Sequence, residues 1–291
     1  MDLVSVVITT HKREPEMVER ALKSVLSQTY KNMEVFVVDD SPADYPLRKA
    51  VEAMVTSYSS QNVKYIPHEK CQGACVARNT GLAAAKGNYI AFLDDDDEWL
   101  PEKIEKQLSA FTTEKIALVY CGSNLNRDGV VTDRKTEFVS GSIYHKLILR
   151  NFIGSTSFPL LRTQALRAAG GFDPQMQSAQ DYDVWLRLAE KYEVAYVDEP
   201  LVTYYIHDGE QITRNYAKKV SGLERLNEKN MAYLKTDKNA MWIRTIKLAP
   251  MYAGNRQIWK AICAWVRAVM LCPWRVKGNL RYLVHVTRNV F

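Results

Sequence analysis

The stretch Phe92-Leu93-Asp94-Asp95-Asp96-Asp97-Glu98-Trp99 decides how this chain is read. It completes an apolar run that starts at Tyr89, with the length and continuity of a strand buried on both faces. Four aspartates and a glutamate arrive together at the end of that strand. Massed carboxylates repel one another and are costly to desolvate, so they require a strong positive partner. A hard divalent cation such as Mg2+ or Mn2+ prefers oxygen ligands. It usually keeps one or two protein carboxylates and takes water and phosphate at its other positions. The run therefore suggests a metal-phosphate site. The competing reading is a solvated loop or a helix start, where acids favour the positive end of the dipole. Pro101 ahead of Glu102-Lys103-Ile104-Glu105-Lys106-Gln107-Leu108 fits a helix beginning nearby. An EF-hand fits poorly, because no glycine stands at the sixth position and no glutamate closes a twelve-residue loop.

Upstream, strands and helices alternate. Val4–Thr9 is apolar and β-branched, as a buried parallel strand should be. Met17, Val18, Ala21, Leu22, Val25 and Leu26 recur at helical spacing. Glu34–Val38 reads as a strand stopping at Asp39-Asp40-Ser41-Pro42, Leu47–Tyr58 as a helix, Val63–Ile66 as a strand and Cys75–Ala85 as a helix. This βαβαβ alternation predicts an open, mostly parallel α/β sheet that binds ligands at the carboxyl ends of its strands. Polar groups cluster at those ends: Thr9-Thr10-His11, Asp39-Asp40, and Asp94 to Asp97. A dinucleotide site is disfavoured because the first strand runs into Thr9-Thr10-His11-Lys12-Arg13 without a glycine-rich turn, and no Walker lysine motif occurs.

Downstream, Ile116–Cys121 reads as a strand, Asn126-Arg127-Asp128-Gly129 as a turn into Val130-Val131, and Gly170-Gly171-Phe172-Asp173-Pro174 as a break. A helix follows at Asp181–Ala189, with Ser178 as a candidate cap. Asp181, Trp185 and Leu188 share one face of it, which aims Asp181 inward at the first turn. Asp183 points elsewhere, to solvent or an ion pair. Another short apolar strand precedes Tyr204-Tyr205-Ile206-His207.

At 291 residues, 47% hydrophobic and 25% charged, the chain has the composition of a folded globular protein. Its five cysteines are odd in number and irregularly spaced, and Cys71 and Cys75 lack the second pair or the clustered histidines of a zinc site. Reduced thiols in a cytosolic compartment are expected. Met1-Asp2-Leu3 carries no basic residue ahead of the apolar run, so the start reads as a strand and not as a signal peptide. The net charge of +6 conceals an asymmetry: residues 238–291 hold ten Lys and Arg and no acid, which leaves −4 for residues 1–237. Two modules are expected, at 1–237 and 238–291.

The ordered set Val4-Ser5-Val6-Val7-Ile8-Thr9, Val38-Asp39-Asp40-Ser41, Ala77-Arg78-Asn79-Thr80-Gly81, Phe92 to Asp97, and Gln180-Asp181 before Trp185-Leu186-Arg187 resembles the family 2 glycosyltransferases. The resemblance runs from Val4 to about His207. It implies a GT-A-type, Rossmann-like open mixed sheet flanked by helices, followed here by a basic helical appendage. It also implies a metal-dependent, inverting transfer of sugar from an NDP-sugar, UDP-linked by preference. The acceptor would be a glycan or a polyprenyl-diphosphate-linked oligosaccharide in bacterial cell-surface polysaccharide assembly.

By the same resemblance Thr9 and His11 line the base pocket, Asp39 accepts from the base edge, and Arg78 lies near the diphosphate or braces the acids. Asp94 faces ribose and Asp96 holds Mn2+ or Mg2+. Asp95 and Asp97 form an equally legal Asp-x-Asp pair, so the register stays open by one residue. Asp181 is the candidate general base. The family usually places Glu before it, where this chain has Gln180. His207 matches a C-terminal histidine that supports metal or phosphate, or else is structural. A sugar-1-phosphate nucleotidyltransferase and a non-catalytic Ca2+-dependent glycan-binding module are the rival readings.

In the tail, apolar residues from Ile258 to Cys272 are broken by Lys260 and Arg267. About 15 residues are too few to span a bilayer, which needs roughly 20. Tryptophan with interleaved cations suits an interfacial helix on an anionic membrane surface, which would make the protein peripheral at the cytoplasmic face. The alternative is inward packing or a homo-oligomer contact. No nucleic-acid recognition motif accompanies the basic charge.

Overall fold

The computed structural model describes residues 1–206 and 215–288, with side chains through Val284. The chain divides into two compact units. The first comprises Met1–Leu147, Asn151–Pro174 and Val184–Asp208, and the second Ile148–Arg150, Gln175–Asp183 and Gly209–Phe291.

Along the chain, β1 (Val4–Thr10), α1 (Pro15–Leu26), β2 (Met33–Asp39), α2 (Arg48–Thr56), β3 (Val63–Pro67), α3 (Ala74–Ala84) and β4 (Tyr89–Asp94) alternate as expected. They are followed by β5 (Glu98–Trp99), α4 (Lys103–Ser109), β6 (Ile116–Arg127), β7 (Val130–Asp133), α5 (Tyr144–Leu147), β8 (Leu160–Arg162), α6 (Thr163–Ala168), α7 (Gln180–Lys191) and β9 (Glu193–Tyr205). The strands form one mixed sheet in the order β3-β2-β1-β4-β8-β6-β9-β5, with β7 paired to β6. β1 lies parallel between β2 and β4, while β8 runs antiparallel to both β4 and β6.

The period of two along each strand sorts the two faces. Val4, Val6 and Ile8 join Val35, Val37, Ala91 and Leu93 in a core with Val18, Ala21, Leu22 and Val25 of α1. Burying a Leu or Val of this kind stabilises by roughly 1.5–3 kcal/mol. Val7 faces the other way, toward α3, where a Cβ added to Gly81 would lie 2.3 Å from Val7 Cγ1. Glycine is what lets α3 approach β1 so closely. On that same face Phe92 meets Phe172 edge-on, with ring centroids 5.0 Å apart.

Two expectations change. β9 is a 13-residue strand rather than a short one. Its pairing with β6 continues through Asp198-Glu199-Pro200 because register shifts at Cys121, Gly122 and Ser123 absorb the irregularity. Ser178 donates its hydroxyl to the Lys218 carbonyl at 2.9 Å, and α7 begins at Gln180.

The second unit carries α8 (Tyr216–Lys229), α9 (Met231–Thr236), α10 (Lys238–Gly254), α11 (Ile258–Leu271) and α12 (Val276–Arg288). The Asp237 carboxylate accepts from Asn239 N and Ala240 N and so caps α10. The acid-free segment therefore starts at a helix N-terminus. Ala249 and Ala253 of α10 pack on Ala261 and Ala264 of α11, and Trp242 and Ile246 pack on Ala268 and Cys272. Trp242 Nε1 donates to Asn279 Oδ1 at 2.9 Å and Trp265 Nε1 to Asn279 O at 2.8 Å. Among the described residues, no helix is long and apolar enough to cross a membrane.

Candidate active site

The carboxyl ends of β1, β2 and β4 lie side by side. Thr9 is in register with Val38 on one side and Asp94 on the other, and Thr10 is in register with Asp39. The chain leaves β1 toward β2 and β3 and returns on its other side as β4. The crevice beyond such a switch point is where open α/β sheets bind ligands.

At the β2 end, Asp39 is buried. Its Oδ1 accepts from Ser41 N at 2.8 Å and its Oδ2 from the Tyr65 hydroxyl at 2.6 Å. Burial, then the bond to Asp39, pushes the Tyr65 hydroxyl far above its ordinary range. Thr9 is half-buried and His11 exposed. His11 Nδ1 lies 2.9 Å from the Asp40 carbonyl, which can only accept, so Nδ1–H donates there.

Asp40 is the hub of the adjoining loop. Its Oδ1 takes His68 Nδ1 (2.8 Å) and Gln72 N (2.7 Å), and its Oδ2 takes Gly73 N (2.8 Å) and Cys71 Sγ (3.3 Å). Burial raises the pKa of this carboxyl, but those four hydrogen bonds outweigh it and hold the group below its ordinary value. Among the described residues, His11, Asp40 and Cys71 are the group of ligand-type side chains whose atoms lie within 4.8 Å of one another. With the Asp40 oxygens already hydrogen-bonded, this group acts as a loop clasp.

The acidic run splits by alternation. Asp97 N closes onto the Asp94 carbonyl at 3.0 Å, a tight turn that sends successive side chains to different surroundings. Asp94 and Asp96 keep 29% and 28% of their side-chain surface. Asp95 and Asp97 are buried. Burial thus separates the two Asp-x-Asp pairs that the sequence leaves open.

Asp94 is ion-paired to Arg78 at 2.8 Å and accepts from Ser155 Oγ (3.1 Å) and Thr156 Oγ1 (3.0 Å). Burial pushes it up, but Arg78 and the hydroxyls hold it below its ordinary value. Arg78 is held over the Phe172 ring at 5.4 Å. Arg13 bridges Asp95 (3.0 Å) and Asp96 (3.2 Å). Burial takes Asp95 to about 6 against the pull of Arg13, with Asp96 adding to the rise. Asp97 accepts from Ser157 Oγ at 2.6 Å and Tyr205 N at 3.4 Å, and burial plus the charges of Asp94 and Asp96 push it well above the carboxylate range.

These contacts test the site's fit to a divalent cation. The donors are all hard oxygens, and three carboxylates at Asp94, Asp95 and Asp96 face two guanidiniums, Arg13 and Arg78. Burial is the first cause of the upward shifts of Asp95 and Asp97, and the neighbouring carboxylates add to both. An ion bound through one or two of these carboxylates, with water and phosphate at its other positions, fits the donor set.

Asp181 lies in the second unit, in the first turn of α7; it is half-buried, and its Oδ1 accepts from Tyr182 N at 2.7 Å. Asp183 is the ion-pair residue of that turn. It is buried, not solvated, and meets Lys229 at 2.6 Å. His207 lies outside the described residues. Sequence reasoning missed Arg13, Tyr65, the Asp40–His68 clasp and the hydroxyl trio Ser155-Thr156-Ser157. The trio carried one local signal, a glycine ahead of three hydroxyls. Gly154 has φ +97°, and its N–H donates to Asn151 Oδ1 at 3.1 Å.

An open mixed sheet flanked by helices, with acids gathered at the carboxyl ends of β1, β2 and β4, is the GT-A architecture. Residues 5–168 match the model of Glycosyl transferase family 2, and the chain belongs to that family. It is 33% identical over 230 residues to the putative colanic acid biosynthesis glycosyl transferase WcaA of Escherichia coli K12, covering 76% of this chain and 78% of that one. WfaP of Escherichia coli, named a UDP-Glc:alpha-D-GlcNAc-diphosphoundecaprenol beta-1,3-glucosyltransferase, is 36% identical over 45% of this chain and 50% of its own length.

Among solved structures, residues 1–349 of Staphylococcus aureus TarS in complex with UDP-GlcNAc share the fold, with TM-score 0.71 and 16% identity over 100% of this chain and 89% of that one. A Pyrobaculum calidifontis mannosyltransferase in complex with GDP-Man and Mn2+ aligns with TM-score 0.60 and 16% identity, over 99% of this chain and 86% of its own. Membership of the family makes this protein a glycosyltransferase, with relatives in bacterial cell-surface polysaccharide synthesis. The nucleotidyltransferase and glycan-binding readings fall away.

Proposed function

We propose that the protein transfers a sugar from a UDP-sugar, with inversion, to a polyprenyl-diphosphate-linked glycan, using Mn2+ or Mg2+. One observation carries this reading: Asp39 and Asp94 end the two strands that flank β1 at the switch point, and the part-exposed Asp94 and Asp96 belong to an acidic cluster with excess negative charge. Relatives named for a UDP-Glc donor and a diphosphoundecaprenol acceptor support the choice of substrates.

Asp39, its carboxylate fixed by Ser41 and Tyr65, would accept the uracil N–H. Thr9 and His11 would border the base. Asp94 would face ribose and Asp96 would hold the cation, with Arg78 and Arg13 fixing the two carboxylates in orientation. When bound, the cation supplies charge stabilisation to the departing diphosphate. Asp181 would take the proton of the acceptor hydroxyl as that oxygen attacks the anomeric carbon from the side opposite UDP, which inverts the centre. His207 remains a candidate for metal or phosphate support. A lipid-linked acceptor resides in a leaflet, so the reading extends to peripheral attachment at the cytoplasmic face.

Titration calorimetry of UDP with and without Mn2+, followed by hydrolysis of a nucleotide-sugar panel, tests the proposal. UDP binding that strengthens with Mn2+ and weakens at least ten-fold in Asp96→Asn is expected. Binding indifferent to both would remove the metal from the site.

A further inference from the structure

α11 is built inside out. Ala261, Ala264 and Ala268 form its buried stripe. Trp259, Ile262, Val266 and Met270 lie on the opposite side at exposures of 76%, 43%, 41% and 77%. At 100° per residue the two stripes are half a turn apart. An ordinary surface helix puts its large apolar residues inward and small or polar ones outward. Here the small residues set the close contact with α10, and the large ones are left 41% to 77% exposed. The pattern continues past the helix: Trp274 is 69% exposed, and α12 presents Val276, Leu280 and Val284 at 58%, 54% and 48%. These three stand four residues apart on one side of the helix.

Cations flank both stripes. Lys260 and Arg267 of α11 and Lys277 and Arg281 of α12 are exposed, and residues 238–291 contain no acid. Of the other basic side chains here, Arg244 is buried against Asn227 and Arg275 stacks on Trp242 at 4.5 Å, while Lys238 and Arg256 are exposed. α11, with 14 residues, is about 21 Å long, too short for a hydrocarbon core of roughly 30 Å.

We infer that the outer face of α11, the Trp274 turn and α12 is an interfacial membrane anchor that lies flat on an anionic leaflet. Trp259, Met270 and Trp274 would enter the acyl boundary, with the flanking cations at the phosphates. This deepens the lipid-linked acceptor reading and rests on it only for its purpose, not for its geometry. Charge decides against two other occupants. A second copy docked through this face would oppose cation to cation, with no acid in the segment to meet either. A nucleic acid would satisfy the cations but leave Ile262, Val266 and Leu280 facing phosphate.

Sedimentation with phosphatidylcholine vesicles, with and without phosphatidylglycerol, tests the anchor on the full chain. Binding should require phosphatidylglycerol and weaken with salt. Arg267→Gln/Lys277→Gln should weaken it about 25-fold, from roughly five-fold per cation. Trp259→Ser/Met270→Ser/Trp274→Ser should weaken it at least about ten-fold. Hydrolysis of the nucleotide sugar in the same preparations should not change, since these residues lie outside the proposed catalytic set.

Three results would overturn the anchor. The wild type could ignore anionic vesicles, the triple variant could bind as well as the wild type, or ultracentrifugation could show a dimer that the triple variant dissolves without any vesicle binding. Vesicle binding with no hydrolysis of any donor would leave the anchor standing and count against the transferase chemistry alone.

Discussion

The carboxyl ends of β1, β2 and β4 and the outer face of α11 and α12 break the ordinary rule of burial in opposite directions. At the strand ends, carboxylates are inside: Asp39, Asp40, Asp95 and Asp97 are buried. On the helices, tryptophan, methionine and leucine are outside. Either departure costs free energy in water alone. On the reading proposed above, the acids at the strand ends would meet a cation with its phosphates and the exposed apolar face would meet a leaflet. The contrast also separates polar groups that complete the fold from those left for a ligand.

That separation gives the largest expected effect. Asp97 is buried and accepts from Ser157 and Tyr205, and burial pushes its pKa up, while Asp96 keeps contact with solvent. Asp96→Asn should lower transfer by about 10²–10³-fold, the usual loss when charge stabilisation of a transition state is removed. Asp97→Asn should leave transfer within about ten-fold and cost about 1 kcal/mol of stability through a misplaced amide. Steady-state rates with Mn2+ and urea denaturation of both variants check this. Equal losses in transfer would erase the distinction between the two acids.

On the helical side the matching contrast lies between tryptophans. Trp242 is buried against Ala268 and donates to Asn279. Trp242→Ala should cost about 3–5 kcal/mol, read from a shift in the urea midpoint.

Lys103 extends the comparison to a buried cation. It is fully buried, donates to Gln107 Oε1 at 2.7 Å, and stands 4.1 Å from the Trp99 ring centroid. Burial lowers its pKa to about 8. Between about 8 and the ordinary value of about 10.4, the unfolded chain binds the proton and the folded one does not, so stability rises with pH across that window. The rise should amount to about 3 kcal/mol, at 1.36 kcal/mol per pH unit of difference. It should be present above the unfolded pKa and lost as pH falls through 8. Lys103→Met should flatten it. Urea titrations of wild type and variant from pH 7 to 10 check the slope difference.

The first half of the fold was legible because its signals are local. β1, β2 and β4 are continuous apolar runs, and α1 repeats its apolar residues at helical spacing. β5 and the full length of β9 were not, since Glu98-Trp99 sits inside an acidic run and Asp198-Glu199-Pro200 interrupts the strand pattern. In the site, the acids were legible by type but their partners were not. Ser157 reaches Asp97 across 60 residues and Arg13 reaches Asp95 across 82. No spacing rule predicts pairings of that separation; only the order of strands in the sheet creates them. The direction of the tail's tryptophans was likewise open in sequence. Alanines at 261, 264 and 268 and large residues at 259, 262, 266 and 270 both keep helical spacing, and hydrophobicity alone assigns the larger set to the core.

The smallest predicted effect bears hardest on that last point. Trp259 and Trp274 are 76% and 69% exposed. Surface substitutions away from packed features usually stay within about 0.5 kcal/mol, so Trp259→Ser and Trp274→Ser should each leave the urea midpoint nearly where it was. A tryptophan that folds the protein and one that awaits a partner differ in this measurement before any vesicle is added. If Trp259→Ser instead lost several kcal/mol, its ring would be packed in the folded chain, α11 would be an ordinary inward-facing helix, and the contrast with Trp242 would collapse. A midpoint that holds steady means the ring contributes nothing to folding in water, and its size and place on the helix must then be explained by what it meets outside the chain.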